Sequence, residues 1–107
     1  MTYEPLPTNE SSNLPSSVKA LEGQAVFVRT VTFYYTGRIR KVTEDGFIIL
    51  TEAAWVPSTN RWANVLVKGG EELREVEPYP DDLPVLINMA GVIEILPWRF
   101  DLPREQK

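Results

Sequence analysis

The sequence has neither cysteine nor histidine anywhere in its 107 residues. Without cysteine there is no disulfide framework, no thiolate ligand and no thiol nucleophile. Without histidine there is no imidazole ligand and no Ser-His relay. Most familiar small-enzyme chemistries are excluded on that ground. Carboxylate or lysine catalysis remains open, but the expectation for so short a chain is no catalysis and no cofactor. Long apolar runs are missing too. None approaches the ~20 residues of a membrane span, and the N-terminus lacks the basic and apolar regions of a signal peptide. A cytoplasmic protein with no membrane partner is expected, and Asn9-Glu10-Ser11 is then a chance glycosylation match.

What the chain does have is 43% hydrophobic residues, nine prolines, three tryptophans and a formal net charge of -4. It is one domain at most. A folded part of roughly 80 residues buries only about 60% of its unfolded-chain surface, so its stability is expected to lean on partner subunits. The charge is uneven. From Lys19 to Lys68 seven basic residues stand against four acidic ones, whereas from Gly69 onward nine acidic residues stand against four basic. The acidic total argues against a surface that grips nucleic acid all over, yet it leaves a modestly basic segment able to meet an anionic polymer.

Residues 1–15 hold Pro5, Pro7 and Pro15 among Thr, Asn and Ser, and read as an extended arm that Tyr3, Leu6 and Leu14 can pin to a neighbour. Ser16 to Gly23 offers a serine cap, two apolar residues three apart and a glycine stop, which predicts a short helix. Ala25 to Thr30, Thr32 to Val42 and Phe47 to Glu52 are β-branched or aromatic runs, and the Asp45-Gly46 hairpin signal links the last two. In the second run Phe33, Tyr35, Gly37 and Ile39 share the face expected to look inward. Gly37 marks a bend, a bulge or a close approach. Ser58 or Thr59 can cap a short helix with Trp62, Val65 and Leu66 on one side, closed by Gly69-Gly70. Glu71 to Asp82 reads as an acidic connection with an extended piece at Leu73 to Val76. Pro84 to Asn88 and Val92 to Leu96 read as the last two strands, joined by the sharp step Met89-Ala90-Gly91. The resulting fold class is mainly β: a small five-stranded, strongly bent barrel over residues 16–96. A helix precedes it, a helix-bearing insertion occupies about 54–83, and an aromatic, proline-flanked tail spans 97–107.

This pattern resembles the Sm-like fold, an SH3-like bent β-barrel shared by Sm and LSm proteins and the bacterial RNA chaperone Hfq. Leu21 to Val28, Tyr35 to Ile39 and Phe47 to Ala53 are similar to the first part of that family's bipartite signature, and Val85 to Ile95 to the second. Ala54 to Trp62, the glycine-closed helix, Glu75 to Tyr79 and Trp98 resemble more closely a group of bacterial and phage-associated Sm-like ring proteins whose activity is not established. The resemblance implies assembly into a closed ring in which the fourth strand of one subunit pairs with the fifth of the next. It would draw on Val85, Leu86, Ile87, Val92, Ile93, Ile95 and Trp98.

The chain departs from the family where RNA is usually held. The loop Thr43-Glu44-Asp45-Gly46 has two carboxylates and lacks the family's asparagine, and Asn88-Met89-Ala90-Gly91 supplies no cation. Asn88 can hydrogen-bond a base edge, although asparagine at a strand end is also a turn former. Arg29, Arg38, Arg40 and Lys41, with Tyr34 among them, can form a basic and aromatic face for single-stranded RNA or DNA, while the same aromatics can simply fill the barrel. The six carboxylates from Glu71 to Asp82 lack the order of a calcium loop, so no metal is expected there. Three functions stay open: a non-enzymatic ring scaffold, a ring that binds single-stranded nucleic acid, and an adaptor in a phage or host complex working through the arm and the Trp98 tail.

Overall fold

A computed structural model describes residues 14–107; the arm assigned to 1–15 lies, but for its last two residues, outside that range. The chain forms strands β1 (Ala25–Thr30), β2 (Tyr34–Val42) and β3 (Phe47–Thr59). Helix α1 (Trp62–Lys68) follows, and then β4 (Leu73–Pro78), β5 (Val85–Asn88) and β6 (Val92–Pro97). All pairings are antiparallel within one sheet of order β4-β3-β2-β1-β6, with β5 also on β3. Six strands in an open sheet replace the expected five-stranded barrel.

The extra strand has a simple origin. β3 does not stop at Pro57 but runs 13 residues, because the proline sits where the register slips between Trp55 opposite Glu77 and Ser58 opposite Glu75. A bulge needs no ladder hydrogen bond from that nitrogen. The first half of β3 pairs with β5, Phe47 opposite Asn88 through Leu50 opposite Val85. The second half is free to take β4, which contains the extended piece expected at Leu73 to Val76 within the acidic connection. Ser58 and Thr59 belong to this strand, so α1 starts instead after Arg61, with no side-chain cap. The expected first helix is a single 3-10 turn, Val18–Leu21, whose Leu21 enters the core.

Gly37 lies at a slip between β2 and β3, where an added Cβ would meet Leu50 Cβ at 3.1 Å and the Thr51 carbonyl at 3.2 Å. Close approach explains the glycine. Opposite it, β3 carries the extra residue, and Glu52 takes a left-handed φ of 50°. That bulge shifts the alternation of β3 by one residue, so Ala53 joins Ile48 and Leu50 on one face while Ala54 and Val56 take the other. The first cluster holds Leu21, Val26, Val28, Ile39, Ile48, Leu50, Ala53 and Ile87. The second holds Phe27, Ala54, Val56, Val65, Leu73, Val76 and Trp98. Alternation along β1 separates them, Val26 and Val28 on one face and Phe27 on the other. The sheet is therefore covered on both sides, by the 3-10 turn and β5 on one and by α1 and the residues after β6 on the other. Of the face expected to look inward, Gly37 and Ile39 are buried, Tyr35 is half-buried and Phe33 lies exposed before β2. Thr36, from the opposite row, is fully buried.

Candidate functional site

The basic residues do not form one row. Arg29, on β1 opposite Tyr34, lies 4.9 Å over the Trp62 ring and 5.9 Å from the Tyr34 ring, and its Nη1 bonds Glu94 at 2.5 Å. It is a strut between β1, β6 and α1. Tyr34 is half-buried against Phe27 and Trp62, with ring centres 5.6 and 6.3 Å away. Arg38 and Arg40 lie farther along β2 and share one carboxylate. Arg38 Nε donates to Glu52 Oε2 at 2.8 Å, and Arg40 Nη2 reaches the same oxygen at 3.2 Å. Arg40 Nε also donates to Thr51 Oγ1, and Arg38 Nη1 to the Gly23 carbonyl. Lys41 is exposed and has no ion pair among the described residues. Asn88 is exposed, and its Oδ1 accepts from the Ala90 N–H at 2.9 Å, closing the 3-10 turn Met89–Gly91 between β5 and β6. Two arginines sharing one carboxylate leave one positive charge uncompensated, beside the exposed Lys41.

The expected assembly residues divide into three sets. Ile87 is buried in the first cluster, and Val85, Val92 and Ile95 are half-buried against it. Trp98 is only 8% exposed, in the second cluster: its Nε1 donates to the Asp101 carbonyl at 3.0 Å and its ring lies 5.4 Å from Phe27. Leu86 and Ile93 alone point outward, at 55% and 60% exposed. Among the described residues each sits on a strand with one unpaired edge: β5 bonds β3 alone, and β6 bonds β1 alone. Beside β6 lies an apolar cleft of about 390 Å³, lined in part by Pro15, Val18, Leu21, Met89 and Ile93.

Sequence reasoning missed how the residues after β6 are fastened. Arg104 donates to the Ala53 carbonyl at 2.8 Å, to the Tyr79 carbonyl at 2.6 Å, and twice to Asp81 Oδ1 at 2.6 and 3.0 Å. Nothing in the spacing of Arg104 links it to residues 23 to 51 positions away. Tyr79, beside this anchor, has its phenol pKa raised above the ordinary 10.0 by burial, with a smaller push from Tyr35. Among the described residues no group of three or more carboxylates is placed to hold a metal ion, and no helix is long and apolar enough to cross a membrane. No protein-family model matches the chain, and a search of curated proteins finds no relative.

Proposed function

We propose that this chain is a non-enzymatic, Sm-like subunit that assembles into a closed ring by pairing β5 of one copy with β6 of the next. One observation carries the reading: the two open edges each present one large exposed aliphatic side chain, Leu86 on β5 and Ile93 on β6. An open edge is a template for another strand, and joining two different edges of one subunit head to tail closes a ring without leaving either exposed. The cleft beside β6 has the size and apolar lining to receive Leu86 of the neighbouring copy. Further support comes from the close approach of β2 to β3 at Gly37, the turn before β1 and the three-residue step between β5 and β6, each of which answers to a feature of the Sm-like resemblance. Pro84 before β5 and Pro97 at the end of β6 limit the pairing to a short span. The scaffold function follows from the ring, which offers repeated copies of any surface a partner reads.

Light scattering at micromolar concentration tests this. A mass several times that of one chain is expected, and Leu86→Lys or Ile93→Lys should each reduce it to a folded monomer. A monomeric parent chain would sink the reading. Binding of single-stranded RNA or DNA is the second reading, carried by the exposed Lys41 beside the Arg38 and Arg40 pair. It requires affinity for oligo(A) or oligo(U) that falls steeply with salt.

A further inference from the structure

The acidic run from Glu71 to Asp82 and the outer edge of β4 are taken up by neither the ring nor the basic face. That edge is already occupied. Val76 N–H donates to the Lys107 carbonyl at 3.0 Å, and Lys107 N–H donates to the Val76 carbonyl at 3.0 Å, the reciprocal pair of an antiparallel ladder. Lys107 Nζ lies 3.3 and 3.2 Å from the carbonyls of Gly70 and Glu71, and Gln106 reaches Glu77 Oε1 at 3.4 Å. Three residues before Lys107, the Arg104 guanidinium fills a cage made by the Ala53 and Tyr79 carbonyls and the Asp81 carboxylate. A cleft of about 400 Å³ runs along the seam between this segment and Gly70 and Val76.

We propose that the β4 edge is a receptor for an extended segment of the form Arg-x-x-Lys, filled by the chain's own residues 102–107 and able to take the same segment from a second copy. Three features define what it accepts. Backbone groups of Val76 add a strand by β-augmentation, which any extended peptide satisfies. The two cages consist only of oxygens, one shaped for a forked guanidinium and one for an ammonium, so the register of Arg against Lys is fixed. Six carboxylates and a single arginine between Glu71 and Asp82 give the edge a negative field that favours the Arg104 and Lys107 cations, while Glu105 between them holds segment 102–107 to a net charge of +1. Within one chain the segment competes at an effective concentration on the order of millimolar, so a second copy's segment enters only where the first has been vacated. Exchange of this kind ties subunits together without using β5 or β6, and it does not depend on the ring.

The test uses the full chain carrying Arg104→Ala and Lys107→Ala, which empties both cages. The probe is a fluorescent peptide of residues 101–107 with both ends blocked. Saturable binding is expected to the variant, at least about tenfold tighter than to the parent chain, whose own segment competes. A peptide lacking the arginine should bind at least about tenfold more weakly, as expected for lost charge-assisted hydrogen bonds. A variant with a cooperative melting transition that does not prefer the arginine peptide overturns the proposal. Should the double variant not fold, Arg104→Lys, which keeps a charge but loses the fork, is judged the same way: preference for the arginine peptide supports the receptor, and no preference overturns it.

Discussion

Gly69 lies directly under the ring of Phe100, so that a Cβ at position 69 would overlap the ring carbons. The same residue closes α1 with a φ of +71°. One glycine thus ends a helix and seats an aromatic residue from beyond β6, which couples the insertion to the C-terminal segment. Gly69→Ala meets both the backbone penalty and the overlap, and is expected to cost about 2–4 kcal/mol. Chemical denaturation should show a lower midpoint with an unchanged slope. An unchanged midpoint would mean that Phe100 moves aside freely.

Phe27 is fully buried and lies within 5.2 to 5.6 Å, centre to centre, of the Trp62, Trp98 and Tyr34 rings. Phe27→Ala removes the hub of that aromatic group and is expected to destabilise by about 3–5 kcal/mol, since rigid rings on three sides collapse poorly into the void. Urea unfolding monitored by tryptophan fluorescence measures it.

Glu52 holds Arg38 and Arg40 through one oxygen atom. Glu52→Gln keeps the side-chain size but removes the one negative charge that offsets both guanidinium groups. If the basic face binds nucleic acid, affinity for oligo(A) at low salt should rise several-fold, and the gain should vanish as salt screens it. Fluorescence polarisation with parent and variant side by side decides the point.

The raised phenol of Tyr79 sets an alkaline limit. Above about pH 10 the unfolded chain ionises this group while the folded chain keeps its proton, so folding stability is complete below that pH and falls as pH rises through the folded pKa. Melting temperatures between pH 8 and 11 should decline above 10, and Tyr79→Phe should flatten the decline.

Local chemistry made much of the fold legible. The β-branched runs placed β1, β2 and the start of β3, Asp45-Gly46 placed their hairpin, and Gly37 marked the close approach to Leu50. The failures share a cause. Proline disfavours a strand interior, and only the bulge opposite β4 reveals why β3 runs on past Glu52 and through Pro57. Leu73 to Val76, read as an extended piece within an acidic connection, is part of β4, but its pairing with β3 stays hidden because its two buried residues, Leu73 and Val76, stand three apart and do not alternate. Of the candidate site residues, Leu86 and Ile93 stand on open edges. Arg29 and Trp98, by contrast, are claimed by tertiary partners 33 to 71 positions away, Trp62 and Glu94 for the one and Phe27 for the other. Spacing along the chain carries no record of such contacts.

The two hydrophobic clusters share no buried residue, though β1 and β3 contribute to both. Their energetics should separate accordingly. A truncation at Ile48 and another at Val65 should add in a double mutant, because neither void borders the other. Two truncations inside one cluster, such as Phe27 with Trp98, should fall short of their sum or exceed it. The sheet then acts as a partition: either side can be recut to suit a new partner while the other keeps the chain folded.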